Sequence, residues 1–585
     1  MFCKRTRSLV LPTTFVILGG ILVGCVRRQA AGVERLAVLP IENLSSNAQL
    51  DWGSRAVAAV VVYDLAGAKN IYARPVDSLS AAQSMQASRL LEGYFVERNG
   101  RIGIRATLED LGRTKAVASF EMDGAQSAGF LPLTNELARR LSSDARMFST
   151  GNEKAFRFYG EALAARDSQD VERGLEEATQ ADPAFAAGYV DEAKLLAEVG
   201  DRERAHEVAQ VGAATRPDPI ERANLEYVAA TASGDAIGRM KALELLTAAT
   251  PANADIFKEL GEMRFQRREF QQASVEYRAA AHLDPDDART WNELGYALAW
   301  AKDLSGAREA LEQYQKLAPG DNNMLDSEGE VSYMRGDFKS AGDYFEQAAA
   351  KNPAEFVKAA EAQLMTGNLQ GADALFLKHL GAGASGQIQM AQWEFLTGRS
   401  KAGMARMEKL APDLSGDLQS LAFSQLAIWK LETRDGKAAV DLANQAVTRA
   451  SSPGVREVSE MCRYVVTGST GASSKMAKAY SLLFAQKYRE ALPLLQAIYA
   501  ATNPSADGQV RTLLAWAYVE TGAIDKAAQL LDSYPLPLSS GEPLFASLMF
   551  PRYLYLRGVV LERAGKHDEA KKSEELYLKY AGTTK

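Results

Sequence analysis

At 585 residues the chain exceeds what one ordinary core supports, so several domains or one extended repeat array are expected. Aromatics at 8% and only 19 prolines exclude a proline-rich or disordered scaffold, and the alanine-, leucine- and glutamate-rich body reads as helical. Residues 1–24 carry Lys4, Arg5 and Arg7 and no acid, so their removal takes the net charge from −7 to −10; without a basic stripe interleaved with aromatics, this argues against nucleic-acid binding.

Residues 1–7 are basic, and residues 9–23 are apolar apart from Pro12, Thr13, Thr14 and two glycines, the n- and h-regions of an export signal. The run closes with Leu22-Val23-Gly24-Cys25, which resembles the bacterial lipobox. The resemblance implies cleavage between Gly24 and Cys25 and acylation of Cys25, giving a signal peptide at 1–24 and a tether at 25–32. An uncleaved transmembrane anchor is the alternative. It is disfavoured because the run is near the lower spanning length and contains Pro12, Gly19 and Gly20. In either case the body lies outside the cytoplasm, and two or more acyl chains would hold it stably to a membrane. Lipoproteins of this kind are retained at the inner membrane by Asp after the cysteine; Val26 here implies the periplasmic face of an outer membrane, where the cell has one. With Cys3 lost and Cys25 lipidated, Cys462 cannot form an internal disulfide and reads as a core residue.

Residues 33–146 read as a small α/β domain. Arg35 to Ile41 is a buried strand, and 51–66 is a helix with alanines and valines on one face. Leu90 to Glu97 and Arg101 to Asp110 are strands joined by Asn99-Gly100, a dipeptide that accepts the positive φ of a two-residue hairpin. A third strand runs from Lys115 to Met122, and a helix is expected over 126–146. Leu36-Ala37-Val38-Leu39-Pro40, Glu42-Asn43-Leu44-Ser45 and Leu91-Glu92-Gly93 resemble the TolB-like amino-terminal domain, related to flagellar FlgO-type domains. That resemblance covers about 110 residues, the length of one small domain, and implies no catalytic residues. With about 30 residues ahead of it, no kinase, cyclase or DNA-binding module is expected upstream.

From residue 152 the chain repeats. Pro183, Pro217, Pro251, Pro285, Pro319 and Pro353 recur every 34 residues. Gly261, Gly295 and Gly329 sit in first helices, facing Ala273, Ala307 and Ala341 and, one turn on, Tyr277, Leu311 and Phe345 of second helices. Proline ends each second helix because it lacks a donor and disfavours helix in the residue before it. This spacing, with Trp291-Asn292-Glu293-Leu294-Gly295, resembles the tetratricopeptide repeat (TPR). The fold class is therefore mainly α, a TPR α-solenoid preceded by a small α/β domain. Beyond residue 355 the period drifts. The Gly/Ser/Thr run at 468–474 is the candidate break between a first lobe at 152–465 and a second at 475–582.

The residues suggest neither catalytic nor metal chemistry. His206, His282, His379 and His567 stand on separate repeats, too far apart in sequence for ligand spacing. Gly381 to Gly386 matches a dinucleotide fingerprint but follows a helix, not a strand, so it reads as a loop; Ser474 occupies a position where a phosphate loop needs Gly. No cofactor, metal or small-molecule substrate is expected, and the chain is read as a non-enzyme binding other proteins along the groove of its array. The family resemblance places Lys258, Glu262, Phe265, Asn292, Tyr296, Trp300, Asp326, Glu330 and Tyr333 in that groove. Phe265, Tyr296 and Tyr333 fit packing between repeats better than partner contact. Two other functions stay open: a regulator of a cell-wall or envelope enzyme acting through 33–146, and a glycan or peptidoglycan binder, which would need a pocket with convergent acids that the sequence does not locate.

Overall fold

The computed structural model describes residues 32–468, 474–531 and 543–581, in which 28 α-helices and six strands are found. Gly24, Cys25, the tether up to residue 31 and residues 469–473 of the proposed break lie outside the described residues.

The amino-terminal unit comprises β1 (Glu34–Val38), β2 (Glu42–Asn43), α1 (Gly53–Leu65), β3 (Ile71–Pro75), α2 (Leu79–Ser84), β4 (Arg89–Arg98), β5 (Arg101–Asp110), β6 (Lys115–Ala125) and α3 (Leu131–Leu141). The sheet runs β3-β1-β4-β5-β6, with β2 also paired to β4. Leu36, Ala37 and Val38 are buried, as a strand parallel to both neighbours demands. Asn99 and Gly100 take φ of +53° and +73°, the two-residue turn that sets Arg98 opposite Arg101. One expectation changes and two elements are added. The closing helix spans Leu131–Leu141, not 126–146, because Ser142 turns extended and ends it. β3 and α2 come from a stretch where Arg74 and Ser-rich positions hide any period.

The core of this unit does not stop at its last helix. Trp52 packs edge-on to Phe130 and Phe156, and Phe148 links Tyr63 to Phe156, Tyr159 and Phe185, so one apolar cluster continues into the first repeats.

The array follows as α4 (Glu153–Ala164), α5 (Ser168–Ala181), α6 (Ala186–Glu198), α7 (Arg202–Ala214), α8 (Pro219–Ser233), α9 (Ala236–Ala249), α10 (Ala254–Gln266) and α11 (Phe270–Leu283). It continues with α12 (Ala288–Trp300), α13 (Leu304–Leu317), α14 (Asn322–Met334), α15 (Phe338–Ala349), α16 (Glu355–Met365), α17 (Leu369–His379), α18 (Ala384–Leu396) and α19 (Ser400–Leu410). The last elements are α20 (Gly416–Glu432), α21 (Gly436–Arg449), α22 (Pro453–Thr467), α23 (Lys475–Phe484), α24 (Tyr488–Ala501), α25 (Gly508–Glu520), α26 (Ile524–Leu531), α27 (Pro543–Arg563) and α28 (His567–Tyr580).

Consecutive helices pair as antiparallel hairpins, except α22, which leans on both α20 and α21. Within each hairpin the local chemistry repeats with the fold. Gly200, Gly234, Arg268, Lys302 and Gly336, each 34 residues apart, occupy the left-handed turn position. The residues just after four of these, Asp201, Asp235, Asp303 and Asp337, cap the second helix by accepting the backbone N–H three residues on. A Cβ on Gly295 would stand 2.9 Å from Leu311, and one on Gly329 2.5 Å from the ring of Phe345, so the first helix must stay bare there.

Several first helices of neighbouring repeats touch, as α6 does α8 and α12 does α14, closer than any neighbouring second helices among the described residues. The ribbon therefore curves with its first helices inward. It curves far enough to meet itself. Arg268, in the α10–α11 turn, donates to Asp507 at 2.5 Å and to the carbonyls of Tyr499 and Thr502, and lies 3.7 Å over the Tyr499 ring. The two residues are 239 apart, about seven periods of 34. Asp507, only 2% exposed, is shared with Arg511, whose guanidinium covers Trp300.

The carboxyl-terminal hairpin also folds back. Gln425 donates to the Leu544 carbonyl, Trp429 to Ser547, and Tyr580 to the Leu364 carbonyl. By length and composition α27 could cross a bilayer, but 67% of its most apolar window is buried among other helices, as in a core element. One cluster runs from Tyr333 to Tyr580 and contains Cys462, whose thiol burial pushes up to about 12.

Candidate functional site

Three features of the described residues stand out: the face of the first helices and two clefts. The first is formed by α10, α12 and α14, the helices that carry all nine residues expected in the groove. Their environments differ. Phe265 and Trp300 are buried on either side of Phe270, with ring centroids 5.3 and 5.4 Å away, and Tyr333 is buried against Phe338. These rings fill space between helices.

The polar members form a ladder across repeats. Tyr296 on α12 donates to Glu330 on α14 at 2.6 Å. Lys358 on α16 then reaches back to Asp326 at 2.6 Å and Glu330 at 3.0 Å. Two earlier tyrosine–carboxylate pairs also join successive first helices but lie in another register, Tyr159 to Asp191 at 2.7 Å and Tyr227 to Glu259 at 2.5 Å, each 32 residues apart where Tyr296 and Glu330 are 34 apart. Burial, reinforced by the facing carboxylates, pushes the Tyr296 and Tyr159 hydroxyls far above their usual range, and Tyr227 up to about 12. These tyrosines are therefore permanent donors, and the acids are their acceptors. Lys358 is raised as well: burial alone would lower it, but Glu330 and Asp326 outweigh that, so the ammonium stays charged. Of the remaining groove residues, Glu262 is exposed and Asn292 is half-buried, with an Oδ1 that has no hydrogen-bond partner. Lys358 was missed in the sequence because it lies just beyond the last regular proline, where the period drifts.

The second surface is a cleft of about 350 Å³ between the amino-terminal unit and α10–α12. Arg35 on β1 pairs with Asp284 and Asp286, and Tyr72 on β3 donates to Asp255 at 2.6 Å. Lys258, the ninth groove residue, pairs here with Asp255 at 2.8 Å and Asp287 at 3.1 Å. Every charge in this seam is matched by an opposite one nearby, so it joins two parts of the chain. Arg146 does the same one repeat earlier, bridging Asp218 and the Tyr63 carbonyl.

The third surface is a cleft of about 390 Å³ where α27 and α28 cross the ends of α18, α20, α23 and α25. At its base the Arg552 guanidinium lies 3.7 Å over Trp516 and pairs with Glu432 at 2.8 Å. Tyr488 meets Trp516 edge-on at 5.8 Å, and Tyr555 and Tyr577 form a tilted pair at 5.4 Å. Glu520 and Arg434 are exposed at the rim. Sequence periodicity gave no sign of this site, since its residues come from five hairpins whose crossing depends on how far the ribbon turns.

Among the described residues no group of three or more His, Cys, Asp or Glu side chains could hold a metal ion. The Gly381 to Gly386 run forms the turn entering α18, not a strand–helix junction.

A bent ribbon of helical hairpins with an inner polar face defines a helical-repeat protein. Family models described as "Tetratricopeptide repeat" match residues 259–322 and 482–549, so the chain contains tetratricopeptide repeats. It is similar to the TPR repeat-containing protein PA4667 of Pseudomonas aeruginosa, at 25% identity over 193 residues. The match covers 32% of this chain and spans a third of that relative's length, 33%. Solved structures with partial likeness include YrrB, a TPR protein with an unusual peptide-binding site (20% identity, 31% of this chain and 92% of that one, TM-score 0.28). MamA of Desulfovibrio magneticus is similar at 20% identity over 28% of this chain and 95% of its own (TM-score 0.25). A tetratricopeptide repeat protein of Parabacteroides merdae is similar at 12% over 47% and 98% (TM-score 0.30).

Proposed function

We propose that this chain is a lipid-anchored scaffold of the bacterial cell envelope that holds other proteins against the inner face of its tetratricopeptide array. The observation that supports the binding role is the connected set of hydrogen bonds and ion pairs from Tyr296 through Glu330 to Lys358 and Asp326. It fixes the inner face before any partner arrives, so docking costs little side-chain ordering. Glu262 on α10 is left exposed to meet a partner. Anchoring rests on the lipobox-like Leu22-Val23-Gly24-Cys25 behind an export signal. The resemblance of 33–146 to TolB-like domains adds a second surface near the membrane, and Val26 favours the periplasmic face of an outer membrane.

A photo-crosslinking residue at Glu262, on the inner face, is compared in cells with one at the exposed Val275 of α11, on a second helix. Partner adducts are expected from Glu262 and not from Val275; equal yields, or none from Glu262, refute the inner face as the docking surface. Radiolabelled fatty acid should enter the native protein and not a Cys25→Ser variant.

A further inference from the structure

The cleft closed by α27 and α28 is unlike the inner face: it is a concave site, not a groove. Its volume, about 390 Å³, falls within the ~300–1,000 Å³ of small-ligand clefts. Among the described residues that line it the charges cancel, Glu432 and Glu520 against Arg434 and Arg552. Arg552 is already committed to Glu432 and to the face of Trp516. A phosphate would therefore find no surplus of positive charge. A second cation would find its π-face and its strongest carboxylate already taken by Arg552.

A neutral ligand remains, and the rim describes it. Tyr555, 43% exposed, and the half-buried Tyr577 present ring surface, which packs against the C–H face of a flat saturated ring. Around those rings stand planar polar groups of both senses: the Glu520 carboxylate accepts, the Arg434 guanidinium donates, and the Gln486 amide does both. Rings bordered by donors and acceptors match a molecule with one apolar face and an edge of hydroxyls.

We infer that this cleft binds a pyranose saccharide, stacked on Tyr555 and Tyr577 and hydrogen-bonded at its rim by Glu520, Gln486 and Arg434. The sugar comes either as a free oligosaccharide or as a unit of a glycan polymer. This site is separate from the protein-binding inner face and does not depend on it.

The full chain in detergent is titrated calorimetrically with maltotriose, cellotriose and chitotriose, and separately pulled down on insoluble starch, cellulose and chitin. At least one trimer should bind. Tyr555→Ala and Glu520→Gln, both at exposed positions, should each weaken that trimer about tenfold, while Glu262→Gln on the inner face leaves it unchanged. Retention on the matching polymer identifies a glycan chain as the ligand; trimer binding without retention identifies a free saccharide. Failure of all three trimers to bind, or binding unaffected by both cleft variants, overturns the inference. So does preferential binding of a basic peptide, acetyl-Ala-Ala-Arg-Ala-Ala-amide, that Glu520→Gln abolishes. Crosslinking from Glu262 is untouched by any of these results, so this inference and the scaffold reading fail separately.

Discussion

The repeats from Ala254 to Ala349 and the helices after Glu355 are made of the same hairpin, yet they are held together differently. In the regular stretch the apolar packing of α10–α14 is local: bare Gly295 on one helix receives Leu311 from the next, and the cluster around Trp300 and Tyr314 runs only from Phe265 to Met334. In the later stretch one cluster spans nearly 250 residues because α27 and α28 lie against helices far away in sequence. A pure nearest-neighbour array can fray repeat by repeat, whereas long-range packing makes distant repeats fold as one. Regularity in sequence and cooperativity in structure therefore sit in different parts of this chain.

The sharpest way to break that contrast is Trp429→Ala. Trp429 is fully buried, stacks on Phe395 at 4.4 Å and donates to Ser547, so its loss should cost ~4 kcal/mol. Hydrogen exchange should rise from α16 through α28 and leave α10–α12 protected; a purely local effect would contradict a cooperative carboxyl-terminal half. Next comes the clasp between the two regions. Arg268→Ala removes one of the two arginines on a buried carboxylate, which keeps Arg511, together with the bonds to the Tyr499 and Thr502 carbonyls, with an expected loss of ~2 kcal/mol. Urea unfolding should then split into two transitions, early repeats first.

The third prediction concerns the amino-terminal unit. Asp64 on α1 is fully buried, and burial raises its carboxyl from 3.8 to about 7 against the opposing pull of Arg146 and Arg139. Because the folded state binds this proton more tightly, the group leaves stability intact below about pH 4. It lowers stability progressively up to about pH 7. Asp64→Asn should therefore raise stability at pH 8 by ~2 kcal/mol and flatten the pH profile between 4 and 7. As the core of α1 is shared with α4 and α5, exchange in those two helices should fall with it; no change there would separate the unit from the array. The smallest effect is expected for Gly329→Ala. Crowding against Phe345 is partly offset by the better helix propensity of alanine, leaving a cost of ~1 kcal/mol confined to α14 and α15 on thermal melting.

Much of the regular stretch can be read directly from its residues. The prolines at 183, 217, 251, 285, 319 and 353 fall just after the ends of α5, α7, α9, α11, α13 and α15, because proline there ends a helix by covalent geometry alone. The Asn99-Gly100 hairpin is legible for the same kind of reason. What escapes is whatever depends on the accumulated turn of the ribbon: the contact of Arg268 with Asp507, the back-folding of α27, and the cleft under Tyr555. Contacts between residues so far apart leave no periodic trace. One local clue existed. Arg268 stands where Gly200, Gly234 and Gly336 stand in other repeats, in a left-handed conformation that penalises a side chain. A residue that accepts such strain has something to hold.

That clasp also sets a rule for how the gene can change. Arrays of this type lengthen or shorten by copying or deleting whole units, each insertion rotating everything downstream. Between residues 268 and 507 such an event would carry Asp507 past Arg268, stranding the arginine and leaving the carboxylate to Arg511 alone. The unit number in this interval is thus locked by geometry, and variation in copy number should be found only before the clasp or after it.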